Sequence, residues 1–333
     1  MKSLKNLNSS TTSNTLKSSN SFLSKQSKYT LKANYIDYSQ ARNVVAGKLF
    51  SNVVHSRGYD DELNALNNGG AVDGFPIVIY LNNAFQGLYT LNIPKDNWMF
   101  GMKGSNSKQA IIMANTWNDT VALKEDINYE FTNGFDLEYC STEDEDTSWV
   151  VNSFNEMRRI LVNYNGNALM ERIDKYIDVE RAIDQMLFTI MIAAADNTSK
   201  NMIWVTYDGV KWIPSMYDMD GTFGLVWHGR EYYDTATMSP PGIFGSNLLW
   251  QRLWENYKYD ICDRFEELRY DVINRNKVEK EFKSFESLIN PIVREAEKER
   301  WISVPSQNTN NYNQIITYYT NRLSYLYNFF NNY

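Results

Sequence analysis

Between positions 196 and 220 stand Asp196, Lys200, Asn201, Asp218 and Asp220, side chains of the types that phosphoryl transfer uses. Moving a phosphoryl group to a hydroxyl takes one carboxylate to receive the hydroxyl proton. It also takes an amide oxygen and another carboxylate to hold a divalent cation against the phosphates. The run Asp196-Asn197-Thr198-Ser199-Lys200-Asn201 offers an acid, a lysine and an amide, and Tyr217-Asp218-Met219-Asp220-Gly221 offers two further acids. Asp196 is the candidate base, and Lys200 the candidate partner for charge on the group in transit. Asn201 with Asp218 or Asp220 is the candidate set for Mg²⁺ or Mn²⁺, and spacing does not choose between the two acids. An isolated Asp-x-x-x-x-Asn has little specificity, since both residues are common in loops. The elements around it have to decide.

Composition removes most other chemistries. The chain has 333 residues with only two cysteines, Cys140 and Cys262, and two histidines, His55 and His228. That is too few, and too scattered, for a structural zinc site or a disulfide framework, and neither histidine lies in a nucleophile motif. With 33 basic against 40 acidic residues the net charge is −7, which argues against a nucleic-acid or anionic-lipid partner. The longest apolar run, Met186 to Ala195, falls short of the roughly 20 residues of a membrane span. The lysines near the N-terminus precede no apolar stretch, so no secretory signal is expected and synthesis would be cytoplasmic. A pair of acids such as Asp196 and Asp218 also suits glycoside hydrolysis, but nothing else in the chain supports that chemistry.

The positioning elements read as an α+β chain. Residues 1–27 form a polar Ser/Asn-rich arm that cannot build a core alone and is expected to dock on a partner. Tyr29 to Tyr35 alternate as a strand, and Ser39 is placed to cap a helix running to about Val54. Phe75 to Leu81 and Gly87 to Leu91 flank Asn82-Asn83 as a hairpin, and Ala110 to Ala114 and Val121 to Leu123 read as short strands. The acidic run Glu143-Asp144-Glu145-Asp146 is expected to be a wet loop. From Val151 the period turns helical. Asp178 should cap a helix from Val179 to Ala195 that is apolar nearly all round, as a buried helix is. Trp212-Ile213-Pro214 reads as a strand, and helices are expected over Leu248–Arg269, Val278–Trp301 and Ile315–Phe330. The expected organisation is the arm 1–27, a β-rich lobe 28–150 and a helical lobe 151–333, with a cleft between the lobes.

Several of these segments occur in the order of a known family. The Asp196 to Asn201 spacing equals that of a protein-kinase catalytic loop. Tyr176-Ile177-Asp178, the Asp196–Asn201 run, Trp212-Ile213-Pro214 and Tyr217-Asp218-Met219-Asp220 together resemble the CotH kinase family, atypical protein kinases named after a spore-coat protein. Upstream, Leu31-Lys32-Ala33-Asn34-Tyr35-Ile36-Asp37 with Arg42-Asn43, and Val78 to Asn83 with Gly87-Leu88-Tyr89, are similar to the family's first strand, helix start and hairpin. With Asn247-Leu248-Leu249-Trp250 and the helices after it, the resemblance runs from about Lys28 to Asn290.

The resemblance implies a two-lobed kinase-like fold that binds ATP and Mg²⁺ or Mn²⁺ and phosphorylates Ser or Thr of proteins. Asp196 would be the catalytic acid of the loop, Lys200 would face the phosphates, Asn201 would bind metal, and Asp218 would bind metal with Asp220 as neighbour or substitute. Lys28, Lys32 and Asn92 fall on the nucleotide side. Two departures fall there too: Asn92 replaces the family's glutamate after the hairpin, and no Gly-rich turn precedes the first strand. The Asn92 to Met102 segment resembles members encoded beside phage tail and baseplate proteins. The chain is therefore expected in a virion or a spore-coat-like assembly, either as a kinase of structural proteins or as a weak or inactive kinase-like component of a tail, baseplate or fibre.

Overall fold

Strand β1 (Thr30–Lys32) is shorter than the alternation over 29–35 predicts. Asn34 takes a left-handed φ of +47°, and its amide donates to Gln40 Oε1 at 2.7 Å and to Thr90 Oγ1 at 3.0 Å, turning the chain away. Helix α1 (Arg42–Ser56) follows and buries Val44, Val45, Leu49 and Val53 as its period requires. Ser39 is not its cap. The Asp37 carboxylate accepts the Arg42 N–H at 2.9 Å and pairs with the Arg42 guanidinium, both side chains being closed to water. Ser39 instead donates its hydroxyl to Asp37 at 2.6 Å. The computed structural model describes residues 28–104, 108–142, 146–230, 235–307 and 311–333. The 1–27 arm and residues 143–145 of the acidic run lie outside the described residues.

Strands β2 (Gly74–Leu81) and β3 (Ala84–Asn92) form the expected hairpin. Asn82 and Asn83 at its tip have φ of +50° and +63°, the left-handed pair that matches the twist of a two-residue turn. β1 adds antiparallel to β3, giving the order β1-β3-β2, with Thr30 opposite Asn92 and Lys32 opposite Thr90. Leu88, Thr90 and Asn92 alternate on the buried face.

A second antiparallel sheet has the order β5-β4-β6-β7, from β4 (Ala110–Ala114), β5 (Phe135–Cys140), β6 (Met202–Thr206) and β7 (Trp212–Met216). β4 and β6 are buried along their whole length, so they read as continuous apolar runs. Two of its strands come from before position 150 and two from after it, so the sheet stitches the halves of the chain together. Val121 to Leu123 form a turn, contrary to the strand reading. The Asn118 side chain accepts the Val121 N–H at 3.0 Å, its carbonyl accepts Ala122 N–H at 3.1 Å, and Leu123 has φ +61°. Local competition by an asparagine side chain defeats a three-residue apolar run there.

Helices α2 (Ser148–Asn163), α3 (Asn167–Ile173) and α4 (Val179–Ile192) lead to the site. Asp178 caps α4 by accepting Arg181 N–H at 3.0 Å. α4 ends three residues before the predicted Ala195, because Ala193 turns left-handed at φ +51°; a 3₁₀ turn then covers Ala195–Thr198. The remaining helices are α5 (Pro240–Phe244), α6 (Leu248–Asn256), α7 (Lys258–Glu267), α8 (Arg275–Glu286), α9 (Pro291–Arg300) and α10 (Asn311–Asn331). The predicted helix over 278–301 divides at Pro291, which lacks the N–H to continue α8 but suits the first turn of α9. Phe154 on α2 meets Phe135, Trp204 and Trp212 at ring-centroid distances of 5.2, 5.4 and 5.1 Å, fixing the helical layer on the second sheet. α9 reaches back to the first sheet, where Glu297 accepts the Leu88 N–H at 2.7 Å and the Trp301 indole donates to Gln86 O at 2.8 Å.

Candidate active site

Lys32 closes β1, and its ammonium crosses to the turn that follows β7. There it pairs with the Asp218 carboxylate and lies 3.3 Å from an Asp220 oxygen. The turn is held from several sides. Met219, fully buried between the two acids, donates its N–H to Asn43 Oδ1 at 2.9 Å. Thr222 donates its hydroxyl to Met219 O at 2.9 Å, and the Arg42 guanidinium donates to Thr222 O at 3.2 Å. Asp218 has φ +56°, a conformation aspartate tolerates better than most residues. Anchoring Met219 inward leaves the acids on either side of it directed at Lys32.

The loop from α4 to β6 is held as firmly. Asn197 donates its amide to Tyr217 O at 2.6 Å, and Tyr217 N–H donates to Asn201 O at 3.1 Å. Asn201 N–H in turn donates to Ala114 O at 2.9 Å, tying the loop to β4. Asn247, which caps α6, donates its amide to Thr198 O at 2.8 Å. Asp196 lies half-buried at the head of this loop. Burial holds its carboxyl above the ordinary aspartate range; Lys200 opposes that shift and Asp220 adds to it. The two loops are therefore electrostatically coupled.

The structure thus brings together Lys32, Asp218 and Asp220 by direct contact, and Asp196 and Lys200 through the field they share. Asn201 is mostly buried at φ +60°, and its side-chain amide has no hydrogen bond among the described residues. Asn92 shares the sheet face of Lys32, yet it is buried with neither amide atom bonded among the described residues. Lys28 is exposed and has no ion pair among the described residues.

Lys95 and Glu138 belong to no catalytic motif of the sequence. They form an ion pair beside the site, with the Lys95 ammonium 3.0 Å from Met113 Sδ and 5.8 Å from the centre of the Tyr217 ring. Burial, and then Glu138, raise the Tyr217 hydroxyl above its usual range. The pair is 43 positions apart in sequence and carries no local signal. The positioning role of Asn247 was more accessible, because an asparagine before Leu-Leu-Trp is a helix N-cap pattern.

The donor set suits a hard cation. Two carboxylates already converge on one ammonium, and the unbonded Asn201 amide lies on the adjoining loop; such oxygens match Mg²⁺ or Mn²⁺ and not a thiol-seeking metal. Among the described residues no three His, Cys, Asp or Glu side chains gather as a complete cage. A cavity of about 280 Å³ between α1, the start of β2 and α8 contains Lys48, Asp73 and Glu281 but none of the site residues. No helix among the described residues is long and apolar enough to cross a membrane.

The chain has the α+β architecture of a kinase-like protein, and in it a lysine of β1 meets two acids that follow β7. It belongs to the CotH kinase protein family, whose model matches residues 3–326. No curated protein matches the chain.

Proposed function

We propose that this chain is a CotH-like kinase that transfers the terminal phosphoryl group of ATP to Ser or Thr hydroxyls of proteins that build a coat or virion. The observation that supports it is the convergence of Lys32 from β1 with Asp218 and Asp220, next to the Asp196 loop. Asp196 accepts the proton of the attacking hydroxyl, for which a raised carboxyl pKa is an advantage. Lys200, beside it, faces the anionic group in transit, and Lys32 faces the nucleotide phosphates. Asn201 and Asp218, with Asp220, hold Mg²⁺ or Mn²⁺. When bound, the ion neutralises phosphate charge and aligns the group for in-line transfer. The 1–27 arm docks the chain on a neighbouring structural protein.

The test is transfer of ³²P from ATP to virion or coat proteins by the purified chain, alongside Asp196→Asn and Asp218→Asn variants of native circular dichroism. Labelling abolished in both variants is the expected result. Labelling that survives in both, or none from the parent chain with any protein of its assembly, overturns the proposal.

Asn92 favours a second reading, an inactive structural component. At the position where the family carries a carboxylate, a buried amide makes no hydrogen bond among the described residues. Under that reading ATP with Mg²⁺ leaves the melting temperature unchanged, whereas a ligand at 100 times its Kd stabilises by roughly 2.7 kcal/mol.

A further inference from the structure

The Lys32 ammonium lies between the carboxylates of Asp218 and Asp220, in contact with one and 3.3 Å from the other. That is the position from which a divalent ion would use both acids. The described strands of the sheet that carries Lys32 hold no acidic residue. Its neighbours on the same face are Thr90, directly opposite, and Asn92, one pair further along, both neutral and both buried. Asn34, just beyond the strand, donates its amide nitrogen to Gln40 and Thr90, and its buried carbonyl oxygen accepts no hydrogen bond among the described residues. The side chains of Lys32 and Asp220 are about one-fifth exposed and that of Asp218 about two-fifths, so solvent screens the Asp218 contact more than the Asp220 one.

Resting on the metal-dependent reading of this site, we propose that Lys32 is a built-in competitor for the cation. A divalent ion and an ammonium repel strongly at contact distance, so the ion gains both carboxylates only when Lys32 swings off them. Nucleotide phosphates are the anions that draw Lys32 away, being the one partner stronger than a carboxylate pair that the reaction brings to the cleft. Free divalent ion then binds weakly, and metal and nucleotide each favour the other's binding through the position of one side chain. Such linkage is reciprocal and commonly amounts to a factor of about 5–150. Lys32 is here a positioning residue, acting on the ion through the acids.

The experiment is titration of the full chain with MnCl₂ in the absence of nucleotide, following loss of the electron paramagnetic resonance signal of free Mn²⁺. Parent, Lys32→Met, Lys32→Arg and Lys32→Met/Asp218→Asn chains are compared. Lys32→Met keeps the aliphatic stem and removes the charge, so it should bind Mn²⁺ about tenfold tighter than the parent. Lys32→Arg should stay near the parent, and the added Asp218→Asn should cancel the gain. Equal or weaker Mn²⁺ binding by Lys32→Met overturns the proposal, as does absence of Mn²⁺ binding in every chain. The outcome is separable from the kinase reading. A tenfold gain in a chain that labels no protein supports the competitor and removes the kinase; labelling with no gain does the reverse.

Discussion

Asn43, in the first turn of α1, accepts the Met219 N–H on its side-chain oxygen at 2.9 Å. This bond joins α1 to the turn that carries Asp218 and Asp220, 176 positions later. The Asn43 amide nitrogen is buried and unbonded, so the side chain's described hydrogen bonding is all on its oxygen.

Replacing Asn43 by Leu leaves the Met219 N–H buried without an acceptor, at a cost of about 1–3 kcal/mol. Urea unfolding should show that loss with an unchanged m-value. Mn²⁺ binding should weaken along with it, because the turn no longer holds its acids on either side of an anchored Met219. A variant that loses stability but binds Mn²⁺ as the parent does would show that the turn keeps its shape without this bond.

Asp196 supplies a pH dependence with a definite sign. Its carboxyl is raised above the ordinary value of 3.8, chiefly by burial. A raised carboxyl favours folding when protonated, so its contribution is complete below the ordinary value and is lost as pH rises through the folded one. Asp196→Asn removes that loss. Thermal unfolding should show Asp196→Asn melting above the parent at pH 7 and the gap closing towards pH 3, while phosphoryl transfer is absent throughout. A variant that melts lower at pH 7 would contradict the burial argument.

Asn247 does two tasks with one amide: its oxygen accepts the Trp250 N–H at 3.3 Å and its nitrogen donates to Thr198 O at 2.8 Å. Asn247→Ala removes both, and the loss should be about 2–4 kcal/mol, a helix cap plus an unsatisfied buried carbonyl. Asn247→Asp keeps the cap but sets a buried carboxylate against a carbonyl oxygen. At pH 7 it should be the less stable of the two variants, and acid should narrow the difference as the carboxyl protonates and regains a donor. Chemical denaturation at pH 5 and pH 7 measures both orders.

The Asp37–Arg42 pair is closed to water on both sides. Arg42→Leu strands the Asp37 charge and removes the bond to Thr222 O, so a loss of about 3–5 kcal/mol is expected. Asp37→Asn/Arg42→Leu should recover part of it. A double variant no better than the single one would show that the other bonds of Arg42, to Thr222 O and Gln314 Oε1, and not the stranded charge, set the cost.

The parts of this protein that were legible in its sequence are those whose partners lie within a few positions. Asp178 caps α4 three residues ahead, and Asn82-Asn83 turn the hairpin between adjoining strands. The motif order also exposed the family, because several short segments had to fall in one sequence at once. Local reading failed where another local bond competed: Asn118 turned Val121–Leu123 away from a strand, and Asp37 displaced Ser39 at the start of α1.

The sequence by itself determined which side chains were available, carboxylates, amides and lysines with almost no cysteine or histidine, and that an amide and three acids lay on two neighbouring loops. Only the tertiary structure decided how they meet. Lys32 and Asp218 are 186 positions apart, and Lys95 follows β3 of the first sheet whereas Glu138 lies on β5 of the second. Such pairings depend on how β1 docks on β3, how α1 grips the acid turn, and which carbonyls the loop asparagines find. Backbone hydrogen bonding sets spacing along a helix or strand, but contacts between distant segments are set by packing the whole core, and no local period encodes them.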